Sequence, residues 1–203
     1  MDLRIILPVK PFAEAKQRLA PAMTAAARAR LAEQMFLHVF ATARAFAGAP
    51  GIIVISRGTD ALAFATGQGA IALAEQPLSD LNGALRQASA FARKSGAAKL
   101  LVAASDLPLL GEADLAALAG HDCAIAPDRH GRGTNALLWP ATLDFHFGEN
   151  SFEHHRAIAS SAGSEAHIVT RPGLAHDIDV PADLLRPTGP ESSVMARKCG
   201  PPS

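Results

Sequence analysis

Three cations, Lys10, Lys16 and Arg18, fall within nine residues, directly after the short apolar run Leu3-Arg4-Ile5-Ile6-Leu7-Pro8. An ammonium is a compact point charge and a guanidinium a planar fork, and together they suit a triphosphate. A solvated basic loop would have the same composition, so residue types leave both readings open. The stretch lacks the Gly-rich spacing of a P-loop and any GxGxxG, which argues against a P-loop NTPase or a nicotinamide-dinucleotide dehydrogenase. Asp106 stands alone among small and apolar neighbours in Ala104-Ser105-Asp106-Leu107-Pro108. A hard cation such as Mg²⁺ takes one or two carboxylates plus phosphate oxygens. The other role open to Asp106 is to cap the short helix that follows. Asp177-Ile178-Asp179 puts two carboxylates on one side of an extended segment, where they could complete a Mg²⁺ site begun by Asp106. Alternatively, Asp179 caps a turn beginning near Pro181 and Asp177 is exposed.

Two further segments carry neutral polar chemistry. In Pro127-Asp128-Arg129-His130-Gly131-Arg132-Gly133-Thr134-Asn135 the glycines allow backbone N–H groups to approach an anion, and Thr134 and Asn135 add neutral donors beside them. Phe147-Gly148-Glu149-Asn150-Ser151-Phe152 leads into a helix capped by Asn150 or Ser151, and a helix N-terminus receives phosphate or carboxylate. Simple capping explains this segment equally well. His130, His146, His154 and His155 invite a zinc reading, but adjacent His154 and His155 cannot both face one metal from a helix. One of them could still touch a substrate. No GxSxG is present, which argues against a Ser-His-Asp hydrolase.

The elements that must position these residues alternate. Strands are expected at 3–8, 51–56, 70–74, 99–103 and 122–126, with two more near 134–139 and 165–169. Helices are expected at 24–47 (capped by Thr24), 59–66, 81–95 (capped by Ser79 or Asp80), 111–119 and around 151–162. The alternation predicts an α/β fold, a Rossmann-like and mostly parallel sheet with one antiparallel element among the later strands. In such sheets ligands bind beyond the carboxyl ends of the strands. The loops after the first, fourth and fifth strands and the region after the last are therefore the places to search. Residues 187–203 carry Pro, Gly and Ser without periodicity and read as a disordered tail behind a single domain, 1–186.

Composition narrows the partners. The 203 residues hold 19 basic and 19 acidic side chains, a balance that argues against nucleic acid polymers yet leaves room for a single nucleotide. Hydrophobic residues make up 49%, ample for one core. Two cysteines, Cys123 and Cys199, form no disulfide framework or Cys-rich zinc site and read as free thiols of a reducing compartment. No apolar run reaches the length of a membrane span, and Met1-Asp2-Leu3-Arg4 enters a strand with no signal-peptide pattern. A cytoplasmic enzyme or small-molecule binder is the expectation. The oligomeric state stays open, a homodimer being one guess.

Taken in order, Leu7-Pro8-Val9-Lys10 with Ala15-Lys16-Gln17-Arg18-Leu19, Leu81-Asn82-Gly83-Ala84-Leu85, Ser105-Asp106-Leu107-Pro108-Leu109, Ala126-Pro127-Asp128-Arg129 through Gly133-Thr134-Asn135, Phe147-Gly148 with Ser151-Phe152, and Asp177-Ile178-Asp179 resemble one family. It is the guanylyltransferases of coenzyme F-420 biosynthesis, whose acceptor is 2-phospholactate, phosphoenolpyruvate or 3-phosphoglycerate. Each motif is weak alone; six in order are specific. The resemblance covers residues 3 to about 186 and implies a nucleotidyltransferase fold of the glycosyltransferase-A type. It also implies GTP, Mg²⁺ and a three-carbon phosphorylated acid as acceptor. On that footing Thr134, Gly148 and Ser151, with Asn135 beside them, bind the acid. Asp106 and one of Asp177 or Asp179 bind metal, while Lys10, Lys16 and Arg18 hold the β- and γ-phosphates. Guanine lies near Pro8 and Asn82. Gln17 stands where many relatives carry Ser. The rival readings are a sugar-phosphate or molybdenum-cofactor nucleotidyltransferase and a non-catalytic nucleotide sensor.

Overall fold

The computed structural model describes residues 3–185; the sequence-predicted tail at 187–203 and Cys199 lie outside them. Seven strands form one sheet: β1 (Leu3–Val9), β2 (Ile52–Ser56), β3 (Ile71–Ala74), β4 (Lys99–Ala103), β5 (Ala124–Pro127), β6 (Thr134–Pro140) and β7 (His167–Ile168). Their spatial order is β3-β2-β1-β4-β6-β5-β7. All neighbours run parallel except β6, which is antiparallel to both β4 and β5. It is the expected antiparallel element. A chain that returns from β5 through the short segment 128–133 has no room for a crossover helix and must reverse direction.

The central strands are apolar on both faces because both faces are covered. Ile5 and Leu7 of β1, Val54 of β2 and Leu101 of β4 join one core. Ile6, Ile53 and Val102, one residue out of phase, join the other. The first core is closed by α1 (Ala25–Ala47), α2 (Thr59–Gly67) and α4 (Glu112–Ala119); the second by α3 (Leu81–Lys94) and α5 (Ser151–Ser161). Helix starts follow the sequence where short polar side chains stand. The Thr24 hydroxyl accepts from the Ala27 N–H at 3.2 Å and the Asp80 carboxylate from the Gly83 N–H at 2.7 Å. A short helix α6 (Pro172–Ala175) follows β7 and was not expected, because four residues carry no periodicity.

Two features of this frame bear on the site. Phe12, in the loop after β1, packs on Phe36 of α1 with ring centroids 5.8 Å apart, so the loop is tied to the core by an aromatic side chain. The reversal at β6 places Thr134 and Asn135 beside the carboxyl end of β4, where the Asn135 carbonyl accepts from the Ala104 N–H at 2.8 Å. Asp106 lies two residues further on.

Candidate active site

Four segments meet beyond the carboxyl ends of β1 and β4. After β1 the chain makes two 3-10 turns, Phe12–Glu14 and Gln17–Leu19, hinged at Lys16 in the left-handed region with φ 55°. That conformation turns the Lys16 side chain inward. Its ammonium donates to the Asp106 carboxylate and, at 2.9 Å, to Asp179. The Lys16 side chain is only 7% exposed. Burial works against its charge, yet Asp106 and Asp179 outweigh burial and raise its pKa. Arg18 is 76% exposed and stands 3.8 Å from Asp179.

Asp177 and Asp179 are held differently. The Asp177 carboxyl lies 3.4 Å from the Asn135 amide nitrogen and 3.7 Å from the Arg129 guanidinium. Burial, then the charges of Asp106 and Asp179, push its pKa up. Arg129 also donates to the Asp177 carbonyl at 2.8 Å and to the Asp183 carboxylate. Asp183 in turn accepts from the Asp179 and Val180 N–H groups at 2.8 and 2.9 Å. The side chain that caps this turn is therefore Asp183 and not Asp179, which leaves Asp179 free for Lys16. Sequence reasoning missed Asp183. Its signal was an acid two residues after Pro181, placed to reach back to the start of the turn.

Pro8, Lys10, Lys16, Arg18, Asp106 and Asp179 line one cleft of about 590 Å³. Arg57, immediately after β2, lines it too and was not singled out; it pairs with Glu14 at 3.0 Å and Glu75 at 3.5 Å. The side chain of Asn82, the residue near which guanine was expected, pairs with the Phe147 backbone. It accepts from the Phe147 N–H at 2.7 Å and donates to its carbonyl at 3.0 Å, which makes it a tether for the loop before α5.

The glycine-flanked segment after β5 also differs from expectation. The anion its backbone surrounds is the protein's own Asp128, which accepts from the His130 and Arg132 N–H groups at 3.0 and 2.9 Å. A Cβ on Gly133 would stand 2.8 Å from that carboxylate, so close approach is what the glycine permits. Thr134 and Ser151 touch each other: the Thr134 N–H donates to the Ser151 hydroxyl at 2.8 Å. Neither Ser151 nor Asn150 caps α5 through its side chain. Gly148 is exposed at φ 127°, a conformation that disfavours any side chain. Asn135 donates to the Leu174 carbonyl at 3.0 Å. His155 points inward to Thr134 at 3.0 Å, while the exposed His154 ring lies tilted against His146 with centroids 3.9 Å apart. Among the described residues no group of three or more His, Cys, Asp or Glu side chains stands in metal-holding geometry.

The mixed, mostly parallel sheet is the fold of solved nucleotidyltransferases. The chain shares its fold with CMP:2-keto-3-deoxy-manno-octonic acid synthetase complexed with CTP, at a TM-score of 0.59 and 13% identity, covering 98% of this chain and 100% of that one. Residues 3–187 match the family described as Guanylyl transferase CofC like, and the chain belongs to that family. It is 38% identical over 192 residues to phosphoenolpyruvate guanylyltransferase of Conexibacter woesei, covering 91% of this chain and 86% of the relative. To 2-phospho-L-lactate guanylyltransferase of Methanothermobacter thermautotrophicus it is 35% identical over 185 residues, with 88% and 81% covered. The protein is an enzyme of the nucleotidyltransferase type. Among the described residues no helix is long and apolar enough to cross a membrane.

Proposed function

We propose that the protein transfers GMP from GTP to a three-carbon phosphorylated acid, releasing pyrophosphate, in the biosynthesis of coenzyme F-420. Phosphoenolpyruvate is the first acceptor to test, with 2-phospholactate and 3-phosphoglycerate after it. The observation that carries this reading is the Lys16 ammonium shared by Asp106 and Asp179 in a cleft that Lys10, Arg18 and Arg57 also line. A phosphate oxygen of the acid attacks the α-phosphorus of GTP; a new P–O bond forms and the bond to the β-phosphate oxygen breaks. The nucleophile is already largely dianionic at neutral pH, its second pKa being about 6, so no strong general base is needed. The protein supplies alignment and charge neutralisation. Lys10 and Arg18 hold the leaving phosphates from the cleft wall, and Lys16 changes partners from carboxylate to phosphate.

Asp106 and Asp179 already share one cation, the Lys16 ammonium, and are hard-oxygen donors of the kind Mg²⁺ takes together with phosphate oxygens. Asp106 and Asp179 would hold it, with Asp177 alongside. When bound, it neutralises charge developing on the transferred phosphoryl group. Thr134, Gly148 and Ser151 are the acceptor side in this reading. The test is pyrophosphate release by the full chain with GTP and Mg²⁺, supplied with each acid in turn. Release with phosphoenolpyruvate and a product of matching mass is expected; no release with any of the three acids overturns the proposal.

A further inference from the structure

His155 is fully buried, yet both its ring nitrogens are engaged. Its Nε2 receives the backbone N–H of His146 at 3.2 Å, and its Nδ1 lies 3.0 Å from the Thr134 hydroxyl. A backbone N–H can only donate, so Nε2 must be the unprotonated nitrogen. The ring proton then sits on Nδ1 and points at Thr134, whose oxygen is the acceptor. Trp139 and Phe147 meet the ring edge to face, at centroid distances of 5.6 and 4.8 Å, and fix its plane.

The consequence reaches the acceptor side. With its oxygen accepting from His155, the only hydrogen-bond role left to the Thr134 hydroxyl proton is to donate onward. Ser151 is in the same position, since its oxygen accepts the Thr134 N–H. We propose that His155 is a positioning residue that makes Thr134 a donor, so that Thr134 and Ser151 together present two neutral O–H donors to an anionic oxygen of the three-carbon acid. This rests on the acceptor-side reading given above. Such a pair can donate to a carboxylate or phosphate oxygen, which only accepts. It does so without a cation, which keeps this side distinct from the triphosphate cleft. Burial pushes the His155 pKa down to about 4, with His146 and His154 adding in the same direction, so the ring stays neutral and the donor direction holds across physiological pH.

The test combines variants with spectroscopy. In His155→Asn the amide nitrogen overlays Nδ1 and can still donate to Thr134; in His155→Gln the amide overlays Nε2 and cannot. With phosphoenolpyruvate as probe, Gln should raise the acid KM about tenfold, and Asn should hold it within about threefold of the parent. The GTP KM should stay put in both, and both should melt at similarly reduced temperatures. In Thr134→Val the further change to Gln should add nothing. Nitrogen-15 spectra of the parent protein, which need no variant, should show the Nδ1–H tautomer for His155. An Nε2–H tautomer, or equal acid KM values for Asn and Gln, overturns the role of His155 alone. An unchanged acid KM in Thr134→Val overturns the acceptor-side reading itself.

Discussion

The cleft proposed for the triphosphate and the Thr134–Ser151–His155 group lie at the same end of one sheet and are built on opposite principles. The cleft is charged and partly open: the Asp106 and Asp179 side chains are 24% and 44% exposed around a Lys16 that is 7% exposed. The second group is neutral and closed, with Ser151 2% exposed and His155 fully buried. Electrostatics governs the first and hydrogen-bond direction the second. Removing a charge should therefore affect turnover most at the cleft, whereas polar-to-isosteric changes should affect acid binding most at Thr134.

The largest effect is expected from Asp106→Asn, which keeps shape and removes charge. Transition-state stabilisation by a cation held there is worth several kcal/mol, so kcat should fall about a thousandfold or more while the melting temperature stays close to that of the parent. Losing the Lys16 pair costs little beside this, because the amide still accepts a hydrogen bond. Near-parental kcat in the folded variant would erase the contrast between the two regions.

Next comes acid sensitivity, which belongs to the neutral region. Burial holds the His155 pKa at about 4, down from its ordinary value of 6.5. Between those values the unfolded chain binds a proton that the folded chain does not, so stability rises with pH there. The contribution is fully present above pH 6.5 and is lost as pH falls toward 4. It amounts to about 3 kcal/mol, because each tenfold change in proton affinity is worth about 1.4 kcal/mol. Charge on His146 and His154 works in the same direction as burial. Denaturant melts at pH 7.5, 5.5 and 4.5 should show this slope in the parent and a shallower one in His155→Gln. Equal slopes would mean that the imidazole titrates freely.

A smaller effect is expected from Thr134→Val, which should raise the acid KM about tenfold, about 1.4 kcal/mol, with GTP binding unchanged in calorimetry. Ser151→Ala should act in the same direction. It should cost no helix cap, since the Ser151 hydroxyl serves Thr134 and not the first turn of α5.

The same contrast explains what the sequence could tell. The strands were legible because burial on both faces leaves uninterrupted runs such as Ile52–Ile55, and the helices α1 and α3 because Thr24 and Asp80 cap them. Lys16, Asp106 and Asp179 were legible as charged residues after strand ends, although a solvated loop or a capping role would show the same types. Their mutual pairing was not, because it depends on the left-handed turn at Lys16 and on Asp183 relieving Asp179 of capping. The neutral group was harder. His154 and His155 were read together as adjacent residues that cannot both face one metal, and only the three-dimensional packing separates the buried His155 ring from the His154 ring beside it, which lies against His146. The Asn82 and Asp128 side chains bond to backbone within the protein, which their residue types did not reveal. Short polar side chains bond to nearby backbone as readily as to ligands, so composition does not separate the two uses.

The smallest effect is expected at the rim of the cleft. Arg18 is 76% exposed and 3.8 Å from Asp179, a distance and exposure at which an ion pair contributes between nothing and about 1 kcal/mol. Its fork should gain more once a triphosphate replaces Asp179 as the partner, but solvent still screens it. Arg18→Ala should therefore raise the GTP KM no more than about fivefold, the equivalent of about 1 kcal/mol, leave the acid KM alone and leave the melting temperature unchanged. The effect should shrink as salt is raised, because an exposed charge loses its reach within about 8 Å at physiological ionic strength. Steady-state kinetics at two salt concentrations checks all of this. A rise in the acid KM instead, insensitive to salt, would place Arg18 with the neutral donors and move the boundary between the two regions across the loop after β1.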